Sequence, residues 1–382
     1  MPSSYGFLST YPPTQCGLAT YSRSLMRSLA TPESGDLVGV VRVVDAPVRS
    51  TAPEVVGHLY SRSRGGGEKA AEVLNTFDVA LVQHEFGVYG GENGDQVLSV
   101  LEELRVPAVI VLHTVLGSPS PQQAHVLRQI IARSDAVVTM TDSARTRLID
   151  HYDVDPAKVH LIRHGATLHA AANSSMLDAS MLVRRPLILT WGLLGPGKGI
   201  EWAIDGLQRL RQLRPLPAYI VAGQTHPRAH LEHGESYRLK LAQRARIVGV
   251  SHLFRTIGSY LDDAGLARLI RRADVVLLPY DSRDQTTSPV LVEAVAAGKP
   301  VVATEFPHAV ELLASGAGLR VPQYDGTAIG EALYRVLTEP GLAQRMATEA
   351  ARLAPTFTWS AAAERYRALG NVLIQNRAGL AR

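Results

Sequence analysis

The chain has 382 residues, 46% of them hydrophobic and 19% charged, with a formal net charge of +4. That length exceeds one ordinary hydrophobic core, so two domains are expected, and the composition excludes a disordered chain. The small charge argues against a dedicated nucleic-acid binder, and the single cysteine, Cys16, excludes internal disulfides and cysteine-rich metal sites.

Met1 is followed by no basic region leading into a long apolar run, so no signal peptide is expected. No stretch reaches the roughly 18 apolar residues of a membrane span, and a cytoplasmic chain is expected. Short apolar runs alternate with amphipathic stretches almost from end to end. In the first half, strands are predicted over 4–10, 37–44, 79–83, 108–113, 136–140 and 159–163, with helices over 121–133 and 143–152. The glycine-rich segment 61–68 reads as a surface loop. The polar stretch 169–180, rich in Ala, Asn and Ser, divides the two halves.

Beyond it, strands are predicted over 187–191, 218–222, 253–257, 275–279, 300–303 and 318–321, with helices over 201–213 and 262–271. Repeated β-then-α units mean parallel sheets covered on both faces, giving α/β doubly wound domains over 1–170 and 171–356. The tail, 357–382, opens with a cap at Thr358 or Ser360 and continues as an amphipathic helix. It packs on the second domain or crosses back to the first. Arg-rich pieces over 208–214 and 268–272 read as solvated helix faces, with peripheral membrane contact as the most they imply.

The segment from Ser288 to Thr304 carries the most chemistry. Ser288 suits an N-cap and Pro289 the first helical position, while Gly298 and Pro300 end the helix before an apolar strand. The amides of Val290 and Leu291, with the positive end of the helix dipole, favour a phosphate. Glu293, one turn further in, suits the diol of a ribose. Phosphate and acid together point to a nucleotide; the plain alternative is a helix–strand connection without a ligand. Lys198, in a strand, glycine-rich loop, helix setting, is either a phosphate ligand or a solvated lysine.

Gly17 after Pro12-Pro13 is either a point of close backbone approach to a diphosphate or a turn glycine, with Leu18 and Ala19 opening the following helix. Cys16 reads as a small loop residue rather than a nucleophile. His113 ends an apolar strand, the usual ligand position in doubly wound sheets, with a satisfied core histidine as the alternative. His84 and Glu85 also follow a strand and are candidates for sugar or acceptor hydroxyls. Adjacent residues on an extended chain point oppositely, which opposes a His84–Glu85 metal pair. His164 is a further candidate beside His113, and Asp281-Ser-Arg-Asp284 reads as a surface turn. No metal is expected.

Four segments carry a family resemblance: Tyr11-Pro-Pro-Thr-Gln-Cys-Gly-Leu-Ala-Thr-Tyr21, Leu112-His113-Thr114, Trp191-Gly-Leu-Leu-Gly-Pro-Gly-Lys198-Gly-Ile-Glu201, and the Ser288 segment extended back to Asp284. Through them the chain resembles retaining glycosyltransferases of family 4, over essentially its whole length. The implied fold is GT-B, two Rossmann-like doubly wound domains facing a cleft. That family's signature is two glutamates eight positions apart with glycines between. Here Glu293 matches the second, Gln285 stands at the first, and Thr286 and Ser288 replace the glycines. Leu193 stands where an arginine is usual, leaving Lys198 of the basic pair. Gln83-His-Glu-Phe-Gly-Val-Tyr-Gly-Gly91, together with Thr10-Tyr-Pro-Pro-Thr-Gln-Cys-Gly17, looks like a poorly assigned bacterial subgroup.

The resemblance implies a metal-independent transfer of a mannosyl or glucosyl group from GDP-mannose or a UDP-hexose, with no other cofactor. The acceptor would be a carbohydrate, a polyol or a lipid-linked sugar. It implies retention by a front-face route, without a protein nucleophile. Its catalytic set is His113, Lys198 and Glu293. Residue reading and resemblance together give a donor set of Gly17, Gly192, Lys198, Gln285, Thr287, Ser288, Pro289, Val290, Leu291 and Glu293, and a sugar or acceptor set of His84, Glu85, His113 and His164. Two alternatives stand beside it: a GT-B glycoside phosphorylase, and a non-catalytic nucleotide-sugar binder, the latter motivated by Leu193 and Gln285. No pair of carboxylates suggests a glycosidase.

Overall fold

All paired strands run parallel, as β–α–β alternation requires, and they form two separate sheets. The computed structural model describes residues 2–48, 52–62, 65–167, 185–259, 261–282 and 284–380, so the stretch 169–180 lies outside the described residues. The chain divides into two compact units, Met1–Gly165 with Phe357–Arg382, and Ala166–Thr356.

The first unit holds β1 (Ser4–Ser9), α1 (Gly17–Leu29), β2 (Leu37–Val44), β3 (Val55–Tyr60), α2 (Gly67–Leu74), β4 (Val79–His84) and α3 (Val97–Glu103). It continues through β5 (Ala108–Leu112), α4 (Pro121–Ala132), β6 (Ala136–Thr139), α5 (Asp142–Tyr152) and β7 (Val159–Leu161). The sheet order is β3-β2-β1-β4-β5-β6-β7. Alternation along the strands feeds two cores. Leu8, Val41, Val82 and Ile110 face α2 to α5, while Phe7, Val40, Leu81 and Val109 face α1 and the tail helix.

The second unit holds β8 (Leu187–Trp191), α6 (Ile200–Gly206), β9 (Ala218–Ala222), α7 (Pro227–His233), α8 (Ser236–Ile247), β10 (Phe254–Ile257) and α9 (Asp263–Arg272). It continues through β11 (Val275–Leu278), α10 (Pro289–Ala296), β12 (Val301–Thr304), α11 (Pro307–Leu312), β13 (Gly318–Val321), α12 (Gly326–Thr338) and α13 (Leu342–Leu353). Its order, β10-β9-β8-β11-β12-β13, reverses direction between β8 and β11. Ligands of open parallel sheets bind at such a switch point.

The tail helix α14 (Trp359–Leu380) packs on α1 of the first unit. Thr358 is its cap, accepting the Ala361 amide at 3.1 Å. The Tyr21 and Tyr366 hydroxyls pair at 2.8 Å, and Arg367 donates to the buried Asp36 at 2.7 Å.

Three features differ from the sequence reading. Strand β3 is unpredicted, because Gly57 and His58 interrupt its apolar pattern at the sheet edge. The helix expected over 201–213 is α-helical only to Gly206 and tightens to a 3₁₀ helix over Leu207–Gln212. The loop expected over 61–68 gives way to α2 at Gly67. Among the described residues, no helix is long and apolar enough to cross a membrane.

Helices α6 and α12 meet through glycine. A Cβ on Gly330 would lie 2.5 Å from the Gly206 carbonyl oxygen, and one on Gly206 would lie 2.6 Å from that of Gly326. Alanine gains about 1 kcal/mol of helix propensity over glycine, but overpacking against backbone costs about 1–3 kcal/mol and more where nothing yields. Gly330→Ala is therefore expected to lower the melting temperature of the second unit. An unchanged or higher value would show that the helices separate freely.

Candidate functional site

On the second unit, the loops after β8 and β11 converge from neighbouring strands. Trp191 ends β8, and Gly192 follows at φ 115°, a backbone state that favours glycine. A Cβ on Gly192 would sit 3.7 Å from Val290 in the first turn of α10. The loop then runs through Gly195-Pro196-Gly197 to Lys198. Gly199 caps α6 at φ 59°, so close to Pro279 that a Cβ would be 1.9 Å from its carbonyl oxygen. This contact presses the loop onto the end of β11, and the Lys198 ammonium lies 4.2 Å from the centroid of the Tyr280 ring.

Ser288 caps α10 as its sequence implies, accepting the Leu291 amide on its side-chain oxygen at 3.2 Å. That corrects one expectation: the Leu291 amide serves the cap. The Ser288 amide donates to His308 Nδ1 at 2.9 Å, and the His308 amide donates to the Gln285 carbonyl. The Gln285 side-chain amide turns back onto the Thr287 carbonyl. Thr287 is buried, with no described partner for its hydroxyl. His308 thus orders the approach to α10 from the start of α11. Its place after Phe306-Pro307, at a helix start following a strand, was the only signal for it.

Glu293 sits one turn into α10, half-buried as a residue and with its carboxyl enclosed, and accepts a 3.0 Å hydrogen bond from Trp191 Nε1. Burial pushes its pKa up from 4.5 to about 7, with the Trp191 hydrogen bond opposing and Asp263 adding to the rise. One oxygen is engaged by Trp191, and a carboxylate has room for further donors.

On the first unit, Gly17 opens α1, with nothing within 4 Å of where its Cβ would stand. The helix starts one residue before Leu18. The Ala19 amide is taken by Cys16 Sγ at 3.5 Å, so Cys16 is the cap. His113 follows β5, and its Nε2 pairs with Gln83 Oε1 at 2.8 Å. The Tyr21 ring stands edge-on to both His113 and His164, at 4.8 and 5.0 Å, with Trp359 packed against Tyr21 and His164. His164 Nδ1 donates to the Gly165 carbonyl at 2.6 Å. Glu85 accepts the Thr114 hydroxyl at 2.6 Å, while His84 is fully buried beside Phe86 with neither ring nitrogen partnered among the described residues.

The fold therefore gathers His84, Glu85, His113 and His164 at the carboxyl ends of the strands. Burial lowers the histidines to about 4 for His84, about 3 for His113 and about 4 for His164, the last opposed by its backbone hydrogen bond. His164 and His84 add to the depression at His113, so all three rings are neutral at physiological pH. Among the described residues, no three His, Cys, Asp or Glu side chains group as metal ligands.

The two sets of groups act oppositely on stability. The histidines are neutral in the fold but protonated in the unfolded chain below about pH 6.5, so acidification destabilises the first unit. Glu293 holds its proton in the fold between pH 4.5 and about 7, where the unfolded chain has released it, so rising pH destabilises the second unit. Glu293→Gln is expected to stabilise the protein more at pH 8 than at pH 5 in thermal melts. An equal shift at both would place the Glu293 carboxyl in ordinary solvent.

Residues 26–169 match the family model described as Glycosyltransferase Family 4, and residues 185–339 the model described as Glycosyl transferases group 1. The D-inositol 3-phosphate glycosyltransferase of Jonesia denitrificans is 28% identical over 277 residues, covering 66% of this chain. The match spans 63% of that relative, less than two thirds of its length. Among solved structures, sucrose-phosphate synthase of Thermosynechococcus elongatus superposes with a TM-score of 0.76 at 17% identity, over 98% of this chain and 100% of that one. The Anabaena HepE protein in complex with UDP does so at 0.73 and 17%, over 96% and 99%. The paired parallel-sheet units are those of the GT-B fold.

Proposed function

Since the chain belongs to the family-4, group-1 glycosyltransferases, we propose that it is a retaining, metal-independent hexosyltransferase using a nucleotide-diphosphate sugar. The observation that carries this reading is the pairing of a capped helix start with an enclosed carboxyl one turn in, Glu293 held by Trp191. Lys198 is fixed on the loop of the neighbouring strand.

In this reading Lys198 and the positive end of α10 stabilise the charge that develops on the diphosphate as the hexosyl carbon leaves it. Glu293 accepts the ribose hydroxyls on the face that Trp191 leaves open. The bond from hexosyl carbon to diphosphate oxygen breaks as the acceptor oxygen bonds to that carbon on the same face. The departing diphosphate oxygen takes the acceptor proton, so no protein nucleophile is used. On the first unit, His113, neutral and tethered by Gln83, offers its ring to a sugar hydroxyl. His84, Glu85 and His164 line the same strand ends. A glucosyl or mannosyl group fits this chemistry, and UDP-glucose and GDP-mannose are the donors to test first. The acceptor is a carbohydrate, a polyol or a lipid-linked sugar, and the enzyme works in the cytoplasm.

Removing a preorganised charge of this kind costs about 10²–10³ in rate. Lys198→Ala is expected to lose transfer by that order and Glu293→Ala to lose it steeply through weaker donor binding, both keeping the parent's fold, as read by circular dichroism and donor-consumption assays. Near-parental turnover in both variants would reject these roles.

A further inference from the structure

One polar row on the first unit takes no part in the donor chemistry. Ser9 of β1 pairs in register with Arg42 of β2, and Arg42 with His58 of β3. On the other side of β1, Leu8 pairs with Val82, so Gln83 of β4 continues the row. In-register residues of parallel neighbours share a face. Phe7, Val40 and Leu81, two positions earlier, put that face under α1 and α14. The row stands at the carboxyl ends of the strands, where open sheets take ligands.

Ser9 Oγ accepts the Ser22 hydroxyl at 2.8 Å, but the other three residues of the row, Arg42, Gln83 and His58, are short of partners. Ser9 and Gln83 are fully buried, and Arg42 is 5% exposed. Burial disfavours the charge of the Arg42 guanidinium and lowers its pKa from the ordinary value. It donates from Nη2 to Thr14 Oγ1 at 3.0 Å. Its Nε has no partner, and no carboxylate among the described residues pairs with it. Gln83 gives one amide atom to His113. Whichever way that amide is turned, its other atom is buried without a partner, as is His58 Nε2. A covered cation without an acid is costly, and a purely packing role would be better served by an apolar side chain.

We propose that Arg42 and Thr14 hold an anionic group of the acceptor, a phosphate or a carboxylate, with Gln83 completing a hydrogen bond to the adjoining hydroxyl. This rests on the glycosyltransferase reading above and narrows its acceptor to an acidic sugar or polyol. A guanidinium fork matches the paired oxygens of either group. Three strand spacings, about 14 Å of backbone, separate Arg42 from Val111 of β5, two residues before His113.

The test titrates the protein with glucose 6-phosphate, glucuronate and glucose by calorimetry, in saturating UDP or GDP so that the donor site is filled, and again without nucleotide. At least one acid is expected to bind about tenfold or more tighter than glucose, and Arg42→Met to erase the difference without changing nucleotide affinity. The stronger of the two acids identifies the anionic group. Thr14→Val is expected to lose part of the preference. Arg42→Met is also expected to melt no lower than the parent, because it removes an unpaired charge. Equal binding of acids and glucose, no binding by either acid, or a preference that survives Arg42→Met would each overturn the proposal. So would an Arg42→Met protein that unfolds, which would make the arginine structural. Acids bound through Arg42 by a protein that binds no nucleotide would contradict the donor reading alone.

Discussion

The hydrogen bond from Trp191 to Glu293 joins two elements that the chain separates by about a hundred residues. It ties the last residue of β8 to the second turn of α10, across the point where the sheet order reverses. Strands β8 and β11 are neighbours in that sheet, so the loops they launch begin side by side. The Trp191 indole gives Glu293 a fixed partner while enclosure withholds water, and the carboxyl becomes a poised acceptor rather than a solvated charge. This link, with the close approach of Gly192 to Val290, holds the capped start of α10 beside the loop of Lys198.

The two units treat ionisable groups by the same rule with different results. Both enclose them, which penalises charge, so the histidines stay neutral and Glu293 approaches neutrality near physiological pH. Lys198 is kept at the surface of its loop, over an aromatic face rather than beside an acid. With no carboxylate partner among the described residues, this cation is available to an anionic ligand. Arg42 follows the same pattern on the first unit, inside a covered row instead of on a loop. An anion bound at either position would satisfy a cation that has no carboxylate partner among the described residues.

Much of this was legible in the residues, and the failures have physical causes. Buried parallel strands are continuous apolar runs, so 37–44, 187–191, 218–222 and 318–321 coincide with strands in the structure. The Ser288-Pro289 start and the Gly298 stop of α10 were visible because caps are local chemistry. Strand β3 was hidden because an edge strand need not be apolar throughout. The engagement of the Leu291 amide follows from the same local cap, whereas the His308 and Trp191 contacts depend on tertiary neighbours that no local pattern encodes. Arg42 was invisible for the same reason, since an arginine in a strand shows its missing partner only once the register of four strands is known.

The central claim is that the second unit binds the diphosphate of an activated sugar at the start of α10. A crystal structure of the protein soaked with UDP-glucose or GDP-mannose tests it directly. The account predicts diphosphate density in contact with the Lys198 ammonium and the first turn of α10, with the ribose hydroxyls on Glu293. Ordered nucleotide density elsewhere on the molecule, with Lys198 still lying over Tyr280 and Glu293 contacting only Trp191, would contradict it.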